Sequence, residues 1–475
     1  MNKPQQADQS SSHTSTRRSF LKSTGAASAA LAGALGARGA FAGDQQAIAA
    51  DPESCGFSQL PADFVYLNSG TEGSMPDCVL ANFRQGLMKW AGNPTTSYET
   101  DTTYGKRQEL SRETVGKFLQ VGKNNICLTD NTTMGMSMTL MGLNFQPQDR
   151  VVITNHEHNA IKSPLAVLQA RQGLRITTRK FPPAAVLSGM NSSEILDALF
   201  PDTPDIRGAR ALCVSHIYPA TGVRLPLRAL RQKADELDIP YLVVDGAQAM
   251  GMIDLTSHTD SVKYSDFYAC PGHKWLNGPP STGVLYLGNA DIRPPEFYPV
   301  LSQRMGNYAH CDKSADSCFP MAEALQVRGC SNTPGFAAMI RAMQFQQDFG
   351  GQDQVEKHIL GLSLRVKESI IERSPAAIVS PWSDTSTLSG LSVFFPFRWN
   401  NPQELFTDKK RADWVVAELL KKNIQVRSIG FQNSVAQDKP PGLAYALRVS
   451  TAVFNTAEQV EAFSHALKEA LLRIR

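Results

Sequence analysis

Short apolar runs, each followed by polar or turn-forming residues, alternate with longer amphipathic stretches through the middle of the chain. Runs of this length are typical of buried strands in a parallel sheet. A helical pattern at 225–237 separates the last two of them. The rhythm predicts an α/β fold with a mostly parallel sheet and right-handed crossovers. The apolar runs lie at 126–129, 151–154, 211–214 and 241–244.

A carboxylate and a lysine follow two neighbouring strands of this predicted sheet. The run 241–244 is followed by Asp245. The next apolar run is followed by Lys274, which lies between His273 and Trp275. Carboxyl ends of parallel strands open onto one crevice, so both side chains are expected to face it. A buried lysine can bond to pyridoxal phosphate (PLP), and a buried aspartate can keep its ring nitrogen protonated. A helix-capping aspartate and a solvated lysine are the structural alternative.

The same segment carries a family resemblance. Asp-Gly-Ala-Gln at 245–248 and Gly-His-Lys-Trp-Leu-Asn-Gly-Pro at 272–279, followed by Gly283, resemble the fingerprint of class V aminotransferases. The likeness runs from about residue 60 to the C-terminus. It implies a fold-type-I PLP-dependent transferase, with a mostly parallel central sheet in a large domain and a smaller α/β C-terminal domain. It also implies a homodimer with shared active sites.

Three residues are expected, from the resemblance, to contact the cofactor ring. Asp245 would pair with the ring nitrogen, Gln248 would bond the phenolic oxygen, and His158 would stack on the ring and relay protons. His156 is expected to be structural. We expect no metal, because two histidines supply only two ligands and no third ligand lies nearby.

The cofactor's phosphate is expected at the start of a helix. Asn131, Thr132 and Thr133 follow the run 126–129, and the free N–H groups and positive dipole end of a helix bind anions. The resemblance places the phosphate on Thr132 and Thr133, with His273 as a further donor. A plain threonine cap is the alternative reading.

A second protomer is expected to complete that phosphate site. Segment 326–334 resembles the Arg-Gly-Thr segment that reaches across the dimer interface in the family. Cys330, a weaker donor, occupies the threonine position here. Ser331 or Thr333 could take over its contact.

Substrate contacts are expected from both ends of the chain. The resemblance makes Arg448 the clamp for the substrate α-carboxylate, a task that suits a planar guanidinium. Asn68 and Ser69 follow a short strand at 64–67. In the family this arm enters the active site, so both are candidate substrate contacts, and a plain Asn-Ser-Gly turn is equally compatible.

The residues leave the reaction type open. Cysteine desulfurases need a loop thiol, and the matching segment 426–434 contains no cysteine, which disfavours that activity. Aminotransfer is favoured, while epimerisation, decarboxylation and elimination remain alternatives. The intact set of cofactor residues argues against an inactive PLP-fold protein. A dinucleotide-dependent oxidoreductase is disfavoured because no Gly-x-Gly-x-x-Gly follows a strand.

The N-terminus predicts export. Residues 16–22 resemble a twin-arginine motif, 25–36 form an Ala/Gly-rich stretch too short to span a membrane, and 40–42 are an Ala-x-Ala cleavage site. A signal peptide is therefore expected over 1–42, cleaved after about Ala42. The twin-arginine machinery would carry the folded, cofactor-loaded protein to the periplasm.

Charge and cysteine content add two limits. The formal net charge is +3, of which the signal segment contributes +4 and the remaining chain −1. The remaining chain therefore gives no reason to expect nucleic acid as a partner. Eight cysteines show no metal-ligand spacing. A periplasmic destination permits disulfides, but folding in the reducing cytoplasm makes none essential, and we predict no particular bridge.

These expectations combine into one domain plan. It comprises a signal peptide (1–42), an N-terminal arm (43–75), a large PLP-binding domain (76–330) and a small C-terminal domain (331–475). The small domain is expected to contain strands at 391–397 and 424–427 and helices at 411–422 and 457–472, the last capped by Asn455 or Thr456.

The overall pattern, together with the twin-arginine leader, resembles the exported isopenicillin N epimerase-like group. That group includes periplasmic enzymes that tailor the glutamate side group of pyoverdine siderophores. The expected substrate is therefore a small-molecule or short-peptide amine, and the siderophore is the specific candidate.

Overall fold

In a computed structural model, the described residues are 55–94, 108–302, 320–433 and 442–475. The signal peptide and its cleavage site, predicted over 1–42, lie outside them. The chain divides into Met1–Asp51 and Pro52–Arg475, and the second unit holds all the described residues.

The strands and helices of this unit alternate along the chain. The strands are β1 (Val65–Tyr66), β2 (Ile126–Thr129), β3 (Arg150–Thr154), β4 (Arg175–Arg179), β5 (Ala211–Ser215), β6 (Tyr241–Asp245), β7 (Phe267–Pro271), β8 (Gly283–Leu287), β9 (Leu391–Phe394), β10 (Phe397–Arg398), β11 (Asn401–Leu405), β12 (Ile424–Gln425), β13 (Arg427–Asn433) and β14 (Gly442–Ser450). The α-helices are α1 (Asp77–Gly92), α2 (Glu109–Phe118), α3 (Thr132–Gly142), α4 (Asn159–Gln172), α5 (Ala184–Leu187), α6 (Ser192–Leu199), α7 (Leu227–Glu236), α8 (Met321–Gln326), α9 (Thr333–Asp348), α10 (Gln352–Ile371), α11 (Lys409–Leu420) and α12 (Ala457–Arg473).

A seven-stranded sheet in the order β2-β8-β7-β6-β5-β3-β4 forms the centre of the unit. The pairs from β7 to β4 are parallel, and β8 runs antiparallel to both β7 and β2. Every residue of β5, β7 and β8 is buried, which is why these strands appear as continuous apolar runs. The predicted mostly parallel sheet is confirmed.

Two hydrophobic cores pack on the faces of this sheet, a third lies in the C-terminal region, and a smaller fourth cluster packs against the C-terminal sheet. Helix α10 contributes to two of the four: Val355 packs in a core of the central sheet, whereas Val366 packs in the C-terminal core. The predicted domain boundary at 330–331 stays a prediction. Within the described part of the chain, none of the helices is both long enough and apolar enough to cross a membrane.

The C-terminal region is built on the antiparallel sheet β13-β14-β9. The strand predicted over 391–397 is interrupted after Phe394 because Pro396 has no N–H to donate to a neighbouring strand. Thr456 caps α12: it accepts a bond from the Gln459 N–H, while the Gln459 side chain accepts one from the Thr456 N–H. Asn455 instead accepts from the Ala452 N–H.

The N-terminal arm is fastened at two places. Its strand β1 pairs in parallel with β12, with Val65 opposite Ile424. A disulfide joins Cys55 to Cys78 on α1. The expectation of no particular bridge therefore needs correction, because only the folded chain shows that the arm runs beside the first turn of α1.

Candidate active site

A cavity of about 680 Å³ opens at the carboxyl ends of the central strands, where open α/β sheets place their ligands. Its walls are completed by the arm and by β13 and β14. Eight of the residues predicted from the sequence line this one cavity: Thr132, Thr133, His158, Asp245, Gln248, His273, Lys274 and Arg448.

Asp245, the last residue of β6, presents an unsatisfied carboxylate oxygen. Its Oδ1 accepts a 2.9 Å bond from the Ala247 N–H, whereas Oδ2 is buried and has no hydrogen-bond partner among the described residues. Burial raises the pKa of this carboxyl, and the nearby charges of Lys274 and His158 oppose that shift. A buried acceptor left unpaired is costly, so Oδ2 is suited to a donor from a bound ligand.

Lys274 lies three residues beyond β7 and is half-buried beside the arm. Burial lowers the pKa of its ammonium to about 8, although Asp245 favours the charged form. The Gly73 N–H donates to the His273 carbonyl at 2.8 Å. A Cβ at Gly73 would lie 1.8 Å from the Lys274 carbonyl oxygen, so only glycine allows the arm this close to the lysine.

Gln248 is buried, and both ends of its amide have partners. Its Nε2 donates to the Gly70 carbonyl at 3.0 Å, and its Oε1 accepts from the Trp275 indole at 2.8 Å. The amide nitrogen carries a second N–H, and the side chain lines the cavity. Its neighbours hold the amide in one orientation.

The two histidines after β3 have different surroundings. His158 caps α4, with its Nδ1 accepting from the Ala160 N–H at 3.1 Å, and burial lowers its pKa. His156 stacks on Phe181 at 4.5 Å between ring centroids. Its Nε2 lies 2.7 Å from the Gln432 carbonyl, and burial lowers its pKa to about 4.

Glu157, between His156 and His158, was not predicted as a site residue. One carboxylate oxygen accepts bonds from the Ser215 N–H and hydroxyl at 2.9 and 2.7 Å. The other accepts from the hydroxyls of Thr154 and Tyr218 at 2.7 and 3.0 Å. Burial still raises its pKa to about 7. Its position beside His158 in the sequence was the available signal.

Unpaired polar groups also lie at the start of α3. Asn131 caps this helix by accepting from the Met134 N–H at 2.9 Å. Thr132 Oγ1, in the first turn, is buried without a partner in the described part of the chain, and so is Nδ1 of His273. Together with the free N–H groups of the first helical turn, these atoms form a donor set suited to an anion.

Two arginines approach the cavity from the C-terminal sheet. Arg448 on β14 is 4% exposed, and its Nη2 donates to Thr71 Oγ1 at 2.9 Å. Arg427 on β13 donates to the same oxygen at 2.9 Å. Arg427 was not predicted as a site residue, because its placement depends on how β13 pairs with β14.

The arm contributes different residues from those expected. Gly70 and Thr71 line the cavity, whereas Asn68 and Ser69 lie behind them: Asn68 accepts from the Thr71 hydroxyl at 2.8 Å, and Ser69 is fully buried. The turn directs its later residues toward the cavity, and the predicted substrate contacts at Asn68 and Ser69 stay predictions.

Residues 65–463 match the family described as aminotransferase class-V. The chain belongs to this family. Among curated proteins, this class V chain is 25% identical over 421 residues to a probable cysteine desulfurase of Pyrococcus abyssi, covering 88% of this chain and 96% of that protein. It is 22% identical over 424 residues to the isopenicillin N epimerase of Streptomyces clavuligerus, covering 89% of this chain and 98% of that protein.

Solved structures agree on the fold. The class V chain is similar to an apo cysteine desulfurase from Thermococcus onnurineus NA1, with a TM-score of 0.64 and 22% identity over 86% of this chain and 95% of the other. It is also similar to the cystine C–S lyase C-DES in complex with cysteine persulfide, with a TM-score of 0.66 and 22% identity over 87% and 99%. The predicted fold-type-I α/β architecture is confirmed.

PLP fits this class V site on structural grounds. The buried Asp245 Oδ2 has no donor among the described residues and suits a protonated ring nitrogen. Within the same residues, Thr132 Oγ1 and His273 Nδ1 are unpaired near a helix N-terminus, and Lys274 provides an amine in the cavity wall. The family is PLP-dependent, and the predicted cofactor is confirmed. The individual cofactor contacts stay predictions.

Two remaining expectations concern groups outside the cavity. Cys330 is exposed and does not line the cavity of its own chain. Its contribution to a second protomer's phosphate site, with Ser331 or Thr333 as substitutes, stays a prediction. In the ranges that the structure describes, no three His, Cys, Asp or Glu side chains are grouped as metal ligands.

Proposed function

We propose that this PLP-dependent class V enzyme is an aminotransferase acting on an amino acid or an amino-acid-like amine. One observation carries the proposal: a half-buried lysine, a carboxylate oxygen without a donor in the described ranges and a buried arginine line the same cavity. These groups are Lys274, Asp245 and Arg448. They match the covalent, electronic and carboxylate-binding needs of amino-acid chemistry with PLP.

Each residue then has a defined task. When bound, PLP supplies an electron sink for the bonds of the substrate α-carbon. Asp245 holds a proton on the ring nitrogen. Lys274, with a pKa of about 8, can take the α-proton as a neutral amine and return it to another carbon as an ammonium. Arg448 orients the substrate by its carboxylate.

Epimerisation and elimination are the alternatives. The named epimerase and C–S lyase among the similar proteins support them, because these reactions share loss of the α-proton and differ in their later steps. A desulfurase acting through a thiol is less well supported. None of the cysteines in the described ranges lines the cavity.

The proposed setting is the periplasm, reached by twin-arginine export. The leader motif at 16–22 supports it, and the Cys55–Cys78 bridge is compatible with an oxidising compartment. The glutamate side group of a pyoverdine-type siderophore is the proposed specific substrate, on the strength of the leader and the epimerase-like resemblance.

A homodimer with shared active sites is also proposed. Leu87, Met88 and Trp90 are exposed on α1, and neighbouring exposed apolar side chains favour a covered surface. In that assembly Cys330 of each chain would approach the partner's phosphate site.

The decisive experiment records absorbance of the mature protein with PLP before and after adding L-amino acids. A band of lysine-bound PLP that borohydride removes, and that Lys274→Ala lacks, is expected. Conversion to the pyridoxamine form by one amino acid would establish aminotransfer and name the donor. Inversion of the substrate without conversion would indicate an epimerase instead, and release of a fragment a lyase.

Peptide-linked glutamate provides a further arm of this experiment. A spectrum that is unmoved by free amino acids but altered by a glutamyl peptide would favour the siderophore-type substrate. If no lysine-bound band forms even with excess PLP, the enzyme proposal is overturned.

A further inference from the structure

Arg427 and Arg448 are direct cross-strand partners. The register of β13 and β14 places one opposite the other, so both side chains project from the same face of the sheet. Both donate to one hydroxyl, Thr71 Oγ1, at 2.9 Å. The two guanidinium groups are therefore held side by side at the cavity wall.

No acidic side chain balances this pair. Among the described residues, no carboxylate lies within ion-pair distance of Arg427 or Arg448, and Nε of Arg448 is buried without a partner. The same cavity is also lined by two cationic side chains, Lys274 and Lys162, and by the carboxylate of Asp245. Glu72 of the arm is exposed. Burial and then the charge of Arg427 lower the pKa of Arg448 to about 10.

Such an arrangement lowers the stability of the protein without ligand. Like charges placed directly opposite in a sheet repel, and a buried cation without a counter-ion is unfavourable. An anion bound between them would relieve both costs. A guanidinium fork matches one carboxylate bidentately, and the α-carboxylate assigned to Arg448 leaves the Arg427 fork free.

We propose that Arg427 binds a second anionic group, so that the substrates are amines that carry another anion besides the carboxylate held by Arg448. In a free dicarboxylic amino acid, the α-carboxylate would lie on Arg448 and the side-chain carboxylate on Arg427. This inference rests on the proposed function only for the assignment of Arg448. Lys162 also lines the cavity, but shares no partner with Arg448, and it serves as the competing candidate in the test.

The test uses glutarate, a dicarboxylate without an amine, and butyrate, its monocarboxylate counterpart. Calorimetric binding to the PLP-loaded protein is expected to favour glutarate. Arg427→Gln should weaken glutarate at least about tenfold and change butyrate by less than about twofold, because a hydrogen bond to a charged group is lost only for glutarate. The glutarate affinity of Arg427→Lys should lie between those of the wild type and Arg427→Gln, because lysine keeps the charge but lacks the guanidinium fork.

Arg171→Gln is the matched control. It removes the same charge from an exposed residue in the last turn of α4 and should alter neither affinity. Thermal unfolding of each variant confirms that it folds. Without ligand, Arg427→Gln should melt at or above the wild-type temperature, because the like-charge pair is gone.

Three outcomes would overturn the inference. If Arg427→Gln loses affinity equally for both acids, the two arginines bind one carboxylate together. If it loses affinity for neither acid, Arg427 does not contact the ligand. A glutarate-selective loss in Lys162→Gln alone would move the second anion site to that lysine. Because glutarate cannot react, selective binding without turnover of any amine would retain the dicarboxylate site and defeat only the proposed function.

Discussion

The indole N–H of Trp275 donates to Oε1 of Gln248 at 2.8 Å, so the residue after the active-site lysine orients a residue expected to contact PLP. Trp275 is fully buried and does not line the cavity. Its influence on the cofactor therefore acts through Gln248, whose amide would otherwise be held only by the bond to the Gly70 carbonyl. Partners of this kind affect ligand binding without touching the ligand.

Trp275→Phe tests this relationship. The substitution keeps an aromatic ring in the core and removes the donor, so PLP affinity is expected to fall roughly tenfold while Lys274 still forms its bond. Titration of the apoprotein with PLP, followed by absorbance, measures both effects. Trp399→Phe, in the C-terminal core, is the control. An unchanged PLP affinity in Trp275→Phe would contradict the proposed role.

The pH dependence of PLP attachment should report the depressed pKa of Lys274. Only the neutral amine attacks, so the attachment rate should rise with pH and level off above about pH 8, the value to which burial lowers this pKa. Asp245→Asn should move the midpoint to lower pH, because the carboxylate that favours the ammonium form is removed. Stopped-flow absorbance of the apoprotein measures the rate. N-acetyl-lysine methylamide is the control, and a midpoint matching it would refute the prediction.

Glu157 should make stability fall as pH rises. Its folded pKa is raised to about 7 from an ordinary value of 4.5, so the folded protein retains a proton that the unfolded chain has already lost. The resulting stabilisation is present below about pH 4.5 and is lost as pH rises to 7. Relative to Glu157→Gln, the wild type should lose on the order of 3 kcal/mol across this range. Urea unfolding of both proteins from about pH 4.5 to pH 8 measures the difference. If the free energies of unfolding of the two proteins change in parallel with pH, the prediction is wrong.

The bridge between the arm and α1 should contribute to stability. Cys55 and Cys78 are 23 residues apart, and a closed loop of that length restricts the unfolded chain by roughly 3 kcal/mol. Cys78→Ser should therefore lower the melting temperature, and dithiothreitol should lower the wild type to the same value. The same reagent should leave Cys78→Ser unchanged. A further drop in that variant would point to another bridge.

Sequence patterns predicted which residues come together at the cavity on the sheet side, because these residues follow apolar strands directly. Asp245 ends a buried strand, and Thr132 stands within three residues after another. Parallel strands bring such positions together without further information. The family fingerprint then singled out Lys274 from other lysines.

The substrate half could not be located in the same way. Thr71 meets Arg448 across 377 residues, and Arg427 faces Arg448 only through the register of β13 and β14. Neither contact leaves a local pattern in the chain. The arm shows the same limit: Gly70 and Thr71 line the cavity rather than Asn68 and Ser69, and a turn sequence does not state which of its residues faces inward.

Contacts at Gly73 and Thr71 also determine when during folding the site can exist. The arm touches the His273–Lys274 backbone and β14 at once, so the cavity wall closes only after the first and last parts of the chain have met. Such distant contacts form late because of the entropy of closing long loops. While the chain is still emerging from the ribosome, the strands that carry Arg427 and Arg448 are not yet available to the site. Stable binding of both cofactor and substrate therefore marks completed folding.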